Sequence, residues 1–255
     1  LSVRVTQLYD YLACPLQGAA KFALGIEPDD EDDPAVLRAE PLTSARRLRG
    51  AAMREVFARV APLPGASFER VLDEVTARRR ARGEAPSGLF GAAESHAEGR
   101  LLDAWLRVLW QYGAARPVSL GAPSPGAGPA RILPPLVLQT SRGPVKLVGP
   151  VGLMIDGPEG ELGLRTREPR RSVLVRYPTR VSQPGPRDAL RAAVEHAIAT
   201  LVLGEAVGHE GLILSSDEHG RSASKVVRLT ALSIDRAQAF LTAAVEAMLA
   251  KPLDV

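Results

Sequence analysis

The stretch VKLVGPVGLMIDGPEGELGLRTREPRR, residues 145–171, decides the fold class of this 255-residue chain. It contains two apolar runs, 145–155 and 161–167, which are joined by the turn sequence DGPEGE. Short apolar runs on either side of glycine, proline and carboxylate residues are typical of β-strands connected by a tight turn. The stretch therefore predicts a β-hairpin, with a carboxylate in its turn and arginines beyond its second strand.

Helical and extended patterns surround this hairpin in a simple order. Glycine and proline are so frequent in GAPSPGAGPARILPP, residues 121–135, that we predict a loop there. Elsewhere the spacing of apolar residues and the capping residues predict the elements. These are helices near 7–12, 15–24, 43–60, 67–82 and 94–112, strands near 136–140, 145–155, 161–167 and 172–176, a helix at 185–204, strands near 211–215 and 225–230, and a helix from 233 to 249.

The order of the predicted elements indicates the fold class. Helices come first, then three or four antiparallel strands, a helix, one or two strands and a final helix. Because helices and strands do not alternate one by one, this order differs from that of a doubly wound fold. We therefore predict a single α/β (α+β) domain over residues 1–255, with a helical section at 1–115 and a sheet-containing core at 116–255.

The composition is that of an ordinary globular protein and argues against several kinds of site. Hydrophobic residues make up 45% of the chain and charged residues 24%, with a net charge of +3. No apolar run approaches the roughly 20 residues that a membrane span needs. The single cysteine, Cys14, excludes internal disulfides and all-cysteine metal sites. We expect a cytoplasmic protein without a cofactor or metal and, because Leu1 opens the sequence, a domain cut from a longer chain.

Four stretches of the sequence carry a resemblance to a known family. With the order of predicted elements, they resemble the PD-(D/E)xK nuclease superfamily, and more narrowly the C-terminal domain of RecC-type subunits in the RecBCD and AddAB helicase–nuclease families. The resemblance implies a restriction-endonuclease-like core, an αβββαβ mixed sheet, behind a helical N-terminal section. The stretches are LSVRVTQLYDYLACPLQGAAKFALGIEPDDED at 1–32, EPLTSARRLRGAAMREVF at 40–57, LVGPVGLMIDGPEGELGLRTR at 147–167 and LRAAVEHAIATLVLG at 190–204.

The resemblance allows the catalytic motif to be checked position by position. Active members use carboxylates and a lysine to hold Mg²⁺ and to stabilise the charge that grows on the phosphate. RGAAMR places Arg54 at the histidine of the helix motif, and GPVG places Gly152 at the aspartate. GLR places Gly163 and Arg165 at the carboxylate and the lysine of the next strand. Since glycine cannot bind a metal and arginine cannot act as a base near neutral pH, we predict no catalytic residues and no enzyme activity.

By the same resemblance, the domain is expected to belong to an exodeoxyribonuclease V type complex that acts in double-strand-break repair and DNA recombination. A RecB-like subunit, a RecD-like subunit and DNA are the implied partners. The domain would serve as a scaffold and help to split the duplex or guide a single strand. ATP hydrolysis and DNA cleavage would take place in the other subunits.

An arginine-rich segment at 165–191 holds the candidate DNA-binding residues. Only Glu168 and Asp188 oppose its positive charge. If this segment borders the degenerate cleft, its guanidinium groups can hold the phosphates of a single strand without cutting it. The alternative is a solvated or partner-facing basic loop. The candidates are Arg165, Arg167, Arg170, Arg171, Arg176 and Arg180.

Two other functions remain open on the sequence. One is a purely protein-interaction domain that makes no contact with DNA. The other is an active metal-dependent nuclease whose ligands have moved, with Lys146 as its lysine. A helical Glu-His pair such as Glu195 and His196 is more often a buried contact or a partner contact than a catalytic pair. The carboxylates available to a relocated site are Asp156, Glu159, Glu161 and Glu195.

Overall fold

A computed structural model of the chain describes residues 1–23, 44–122, 130–155, 169–176, 185–216 and 222–250. Seven helices and eight strands are placed in these ranges. The helices are α1 (Val5–Ala13), α2 (Pro15–Ala23), α3 (Arg46–Val60), α4 (Glu69–Ala81), α5 (Gly88–Trp110), α6 (Pro186–Leu203) and α7 (Ile234–Leu249). The strands are β1 (Ser2–Arg4), β2 (Ala115–Leu120), β3 (Arg131–Leu133), β4 (Leu136–Thr140), β5 (Gly143–Ile155), β6 (Arg170–Arg176), β7 (His209–Ser216) and β8 (Ser222–Leu229).

All eight strands belong to one mixed sheet with the order β3-β2-β5-β6-β7-β8. The long strand β5 organises it, because β1 and β4 also pair with β5 outside this path. The pairs β2–β5, β5–β6 and β7–β8 are antiparallel, whereas β6 and β7 are parallel and α6 connects them. The prediction of an α/β protein with a mixed sheet is confirmed.

Helices cover both faces of the sheet. Met154 on β5 belongs to a core cluster with residues of α1, α6 and α7, such as Leu8, Ile198 and Leu241. Its neighbour Ile155 belongs to a second cluster with α3, α4 and α5. Since successive strand residues point to opposite faces, the two clusters lie on opposite sides of β5. The helix α6 therefore packs on one face and α3 lies on the other.

Several element ends are those that the sequence predicts. Pro15 and Pro186 open α2 and α6, where the missing N–H of proline costs no hydrogen bond. Gly204 ends α6 with a φ of 69°, a left-handed conformation that favours glycine. The hydroxyl of Ser233 caps α7 by accepting a hydrogen bond of 3.3 Å from the backbone N–H of Arg236.

Three short strands were missed by the sequence analysis. Residues 2–4 form β1, which pairs in parallel with β5. These residues lie in the section that was predicted to be helical. The strand β2 was not predicted, and β3 lies within the predicted loop 121–135 and pairs in parallel with β2. Segments of three to six residues carry little periodic signal, so the sheet partner decides that they are extended.

Two further predictions concern the start of α5 and the second strand of the predicted hairpin. The helix α5 begins at Gly88, earlier than the predicted 94. The predicted strand 161–167 lies outside the described residues. The strand that pairs with the far end of β5 is β6, residues 170–176, close to the prediction at 172–176. Among the described helices, none has both the length and the apolar character needed to cross a membrane.

Candidate functional site

Gly152, the position matched to the nuclease aspartate, lies on β5 and faces α6. A Cβ atom at Gly152 would lie 2.6 Å from Oε1 of Glu195 and 3.2 Å from its Cδ. Real Cβ atoms almost never approach another heavy atom that closely. The carboxylate of Glu195 therefore occupies the space that a side chain at position 152 would need.

Glu195 is buried, with only 2% of its surface exposed, and it forms an ion pair within α6. The Nε of Arg191 donates a hydrogen bond of 2.9 Å to Oε1 of Glu195. Burial raises the pKa of Glu195, while the charge of Arg191 and a hydrogen bond from Ser172 oppose this rise. Burial by itself would lower the pKa of Arg191, but Glu195, Tyr9 and Asp188 together outweigh it and raise the pKa. The carboxylate of Glu195 is therefore held by one cation, Arg191, and by the hydroxyl of Ser172.

Tyr9 on α1 packs against the Arg191 side chain of this ion pair. The Cζ of Arg191 lies 5.2 Å from the centre of the Tyr9 ring, within the range of a cation–π contact. The Tyr9 hydroxyl donates a hydrogen bond of 2.9 Å to the carbonyl of Val151 on β5. Burial, and then the negative charge of Glu195, raise the pKa of Tyr9. Tyr9 thus ties α1 and β5 to the Arg191–Glu195 pair.

A cavity of about 220 Å³ lies beside Gly152 and is lined by residues of α3, β2, β5, β6 and α6. Its walls are mostly apolar, with contributions from Val118, Leu153 and Val173. Among the described lining residues, the two charged ones are both arginines, Arg54 and Arg191. The structure therefore brings two of the positions matched to the nuclease motif, Arg54 and Gly152, to one cavity.

Arg54 comes from α3, and its side chain lines the cavity while staying partly exposed to solvent. That side chain makes no hydrogen bond or ion pair within the part of the chain that the structure describes. Removal of water around its guanidinium lowers the pKa of Arg54, and the positive charge of Arg191 lowers it further. The two guanidinium groups therefore act on each other across the cavity, and the carboxylate of Glu195 balances only one of them.

A buried polar cluster lies behind Glu195. The hydroxyl of Ser172 on β6 lies 2.9 Å from Nε2 of His209, and the rings of His209 and His196 stack at 5.3 Å. Nε2 of His196 lies 3.0 Å from the carbonyl of Thr230. Burial, together with the charges around it, lowers the pKa of His209 to about 3, and burial also lowers the pKa of His196. Both imidazoles are therefore neutral at pH 7, and both residues of the Glu195-His196 pair are buried.

The structure places the arginine candidates in different settings. Arg170 is buried, with 2% of its side chain exposed, and its Nη2 donates to the carbonyl of Glu205 at 3.2 Å. Arg171 lies on the same strand and its Nε donates to Glu210 at 3.0 Å. Arg176 is the last residue of β6. Because Arg170 is enclosed by protein, its guanidinium is not available to a strand at the surface, which corrects its prediction as a DNA-binding residue.

The strand beside Gly152 is β6, and several predicted site residues lie outside the described residues. The register of β6 on β5 pairs Met154 with Ser172 and Leu153 with Val173, so β6 carries the residues next to Gly152. Sequence reasoning placed the corresponding motif earlier and did not single out Ser172. The residues outside the described ranges are Asp156, Glu159, Glu161, Gly163, Arg165, Arg167 and Arg180.

The arginine of the helix motif, Arg49, has a structural role. Its Nε donates to Glu98 of α5 at 3.1 Å, and Arg79 of α4 lies 3.5 Å from the same carboxylate and 3.3 Å from Glu94. Burial raises the pKa of Glu98, and the charges of Arg79 and Arg49 oppose this rise. This network holds α3 against α4 and α5, and so positions the helix that carries Arg54.

Neither metal-ligand geometry nor sequence comparison adds a further assignment. Within the described ranges, no group of three or more histidine, cysteine, aspartate or glutamate side chains is placed to hold a metal ion. No protein-family model matches the chain, and no curated protein matches it in sequence. The site is therefore defined by its own geometry: an apolar cavity with two arginines, beside a glycine whose side-chain space is filled by a glutamate.

Proposed function

We propose that this chain is a non-catalytic nuclease-fold domain of a RecC-like subunit in a helicase–nuclease complex. One observation carries the proposal: the Glu195 carboxylate occupies the side-chain space at Gly152, where an active nuclease needs its metal-binding aspartate. An aspartate at this position would place a second carboxylate against the first within a buried space. Like charges at that distance are strongly unfavourable unless a cation separates them.

The strand order supports a PD-(D/E)xK core. From β2 onward the chain runs through β5 and β6 in antiparallel fashion, crosses through α6 and returns as β7 parallel to β6. With α5 before β2, this is the αβββαβ order that the resemblance implies, and β1, β3, β4 and β8 extend it. The degenerate positions Arg54 and Gly152 then meet at one cavity, as matched motif positions should.

The charges around the cavity argue against metal-dependent cleavage there. A divalent cation needs carboxylates that are free to coordinate it, whereas Glu195 is bound by Arg191. Two guanidinium groups at the same cavity would repel the cation. Neither arginine can accept a proton from water near neutral pH. The arrangement suits binding of an anion better than its hydrolysis.

The proposed role is scaffolding between RecB-like and RecD-like subunits, with guidance of a DNA strand during double-strand-break repair in the cytoplasm. The candidate strand contacts are the predicted arginines other than Arg170. Arg170 is left out because it is buried. The remaining candidates are Arg165, Arg167, Arg171, Arg176 and Arg180.

The decisive experiment is a nuclease assay of the purified chain on single- and double-stranded DNA, with Mg²⁺ and separately with Mn²⁺. An Asp156→Ala variant is the control, because a relocated metal site would use that carboxylate. We expect no cleavage above the control. Cleavage that disappears in Asp156→Ala would establish the alternative, an active nuclease with moved ligands, and would contradict the proposal.

A second experiment separates strand guidance from pure protein interaction. Arg165, Arg167 and Arg171 are changed together to glutamine, and a control variant carries the same change at three exposed arginines elsewhere, Arg70, Arg82 and Arg107. Guidance predicts weaker single-strand binding and a salt slope smaller by about 0.7 for each lost phosphate contact. If the triple variant binds DNA like its control but assembles poorly with its partner subunits, the protein-interaction alternative is correct.

A further inference from the structure

We infer that the cavity beside Gly152 is a metal-free phosphate site, in which Arg54 and Arg191 hold one phosphate group between them. The inference deepens the proposed function at the same site, and it rests on that function for the source of the phosphate, a DNA strand. The site uses residues of α3 and α6 that lie outside the run of arginine candidates 165–180 identified from the sequence.

The first argument is the availability of hydrogen-bond donors. Arg191 donates to Glu195 through Nε alone, and its two terminal nitrogens donate to no acceptor in the described ranges. Its Nη2 lies 3.7 Å from the Cβ position of Gly152, at the cavity wall. Arg54 lines the same cavity and has no partner among the described residues. Two guanidinium groups with unused donors are the arrangement that binds phosphate through charge-assisted hydrogen bonds.

The second argument is the charge balance. Two carboxylates act on Arg191: Glu195, which is bound to its Nε, and Asp188, which accepts a hydrogen bond of 2.7 Å from the backbone N–H of Gly185. Neither lines the cavity among the described residues, whereas both arginines do. The mutual repulsion of Arg54 and Arg191 falls when an anion lies between them. Apolar walls strengthen that attraction because they exclude water.

The third argument is size and lining. At about 220 Å³ the cavity is smaller than the roughly 300–1,000 Å³ typical of sites for drug-sized ligands. It admits a phosphate with one attached sugar or base, and Val118, Leu153 and Val173 offer an apolar surface to the attached group. The backbone phosphate of a single nucleotide unit fits both the charge and the apolar wall.

The test is titration of the whole chain with two probes, inorganic phosphate followed by ³¹P NMR and an oligothymidylate followed by fluorescence anisotropy. Arg54→Ala removes one donor group without breaking any described contact, and we expect phosphate affinity to fall at least about tenfold. Glu195→Gln removes a negative charge while keeping an acceptor for Arg191, so affinity should rise. Arg107→Ala, at an exposed arginine of α5, is the charge-matched control and should bind like the unchanged chain.

Each outcome decides something specific. If Arg54→Ala and Arg107→Ala weaken phosphate binding equally, or if Glu195→Gln weakens it, the inferred site is wrong, while the nuclease assay still tests the proposed function separately. If Arg54→Ala weakens both probes and phosphate competes with the oligonucleotide, the phosphate comes from a strand. If it weakens only inorganic phosphate, the site stands as one for a free phosphate or nucleotide, and strand guidance through this cavity is wrong.

Discussion

Oε1 of Glu195 accepts a hydrogen bond of 2.9 Å from Nε of Arg191, four residues earlier on the same helix. The same oxygen lies 2.6 Å from the Cβ position of Gly152 on β5. Oε1 of Glu195 therefore contacts Arg191 and also fills the side-chain space of Gly152, the position matched to the nuclease aspartate. Substitutions at these three residues are expected to affect each other.

The first prediction concerns the glycine. Gly152→Ala should destabilise the protein by about 1–3 kcal/mol, because the new methyl group overlaps the buried carboxylate of Glu195. Gly99→Ala on α5 is the control, since its Cβ would meet its nearest neighbours at 3.7 Å and alanine favours a helix. Urea denaturation measures both free energies of unfolding. Equal tolerance of the two substitutions would contradict the close contact at Gly152.

The second prediction concerns the ion pair. Arg191→Met should cost about 3 kcal/mol, the lower end of the range for breaking a buried pair, because Glu195 keeps its charge while Arg191 is itself partly exposed. The double variant Arg191→Met with Glu195→Leu should recover most of that loss, since no unpaired charge remains. A double-mutant cycle by urea denaturation checks this. Purely additive losses would show that the two side chains do not interact.

The third prediction is a loss of stability in mild acid caused by His209. Its pKa is lowered to about 3 in the folded protein, against an ordinary value near 6.5. The unfolded chain therefore binds more protons between these pH values. The stabilisation from the neutral ring is complete above about pH 6.5 and is lost as the pH falls towards 3. Between pH 7 and pH 5 the loss should be about 2 kcal/mol.

His209→Gln should flatten that pH dependence, whereas His96→Gln, at an exposed histidine of α5, should not change it. Urea midpoints at pH 7 and pH 5 compare the three proteins. Burial lowers the pKa of His196 as well, so it acts in the same direction. The raised pKa of Glu195 acts oppositely, because the folded state then takes up a proton at a higher pH than the unfolded chain does. A steep loss that survives in His209→Gln would assign the effect to another group.

The fourth prediction concerns the network between α3, α4 and α5. Arg79→Met should cost about 3–5 kcal/mol, because Glu98 and Glu94 lose the buried cation that lies between them. Arg78→Met, the adjacent residue, is the matched control: Arg78 is 41% exposed and pairs with Glu55 at the surface, so its loss should be much smaller than that of Arg79→Met. Thermal unfolding measures the difference. Similar losses at both positions would contradict a buried role for Arg79.

The sequence was informative wherever the signal is local. The long apolar run at 145–155 predicted β5, and proline, glycine and serine marked the ends of α2, α6 and α7. Matching of motif positions singled out Arg54 and Gly152, which do meet at one cavity. The correct predictions of strand and helix ends share one physical reason. Strand and helix patterns, like cap residues, depend on neighbours a few positions away, so they can be read without the fold.

Only the tertiary structure decided what occupies the position at Gly152 and that Arg170 is enclosed by protein. Glu195 fills that space because α6 packs on the face of β5 to which Gly152 points, and Arg170 is buried because β6 lies inside the sheet. β1 and β3 are likewise extended because their sheet partners supply the hydrogen bonds. The sequence by itself predicted the longer helices and strands and placed a glycine at the position matched to the nuclease aspartate. The charge balance of the cavity arises from side chains distant in the chain, whose distances and desolvation are set only when the helices pack on the sheet.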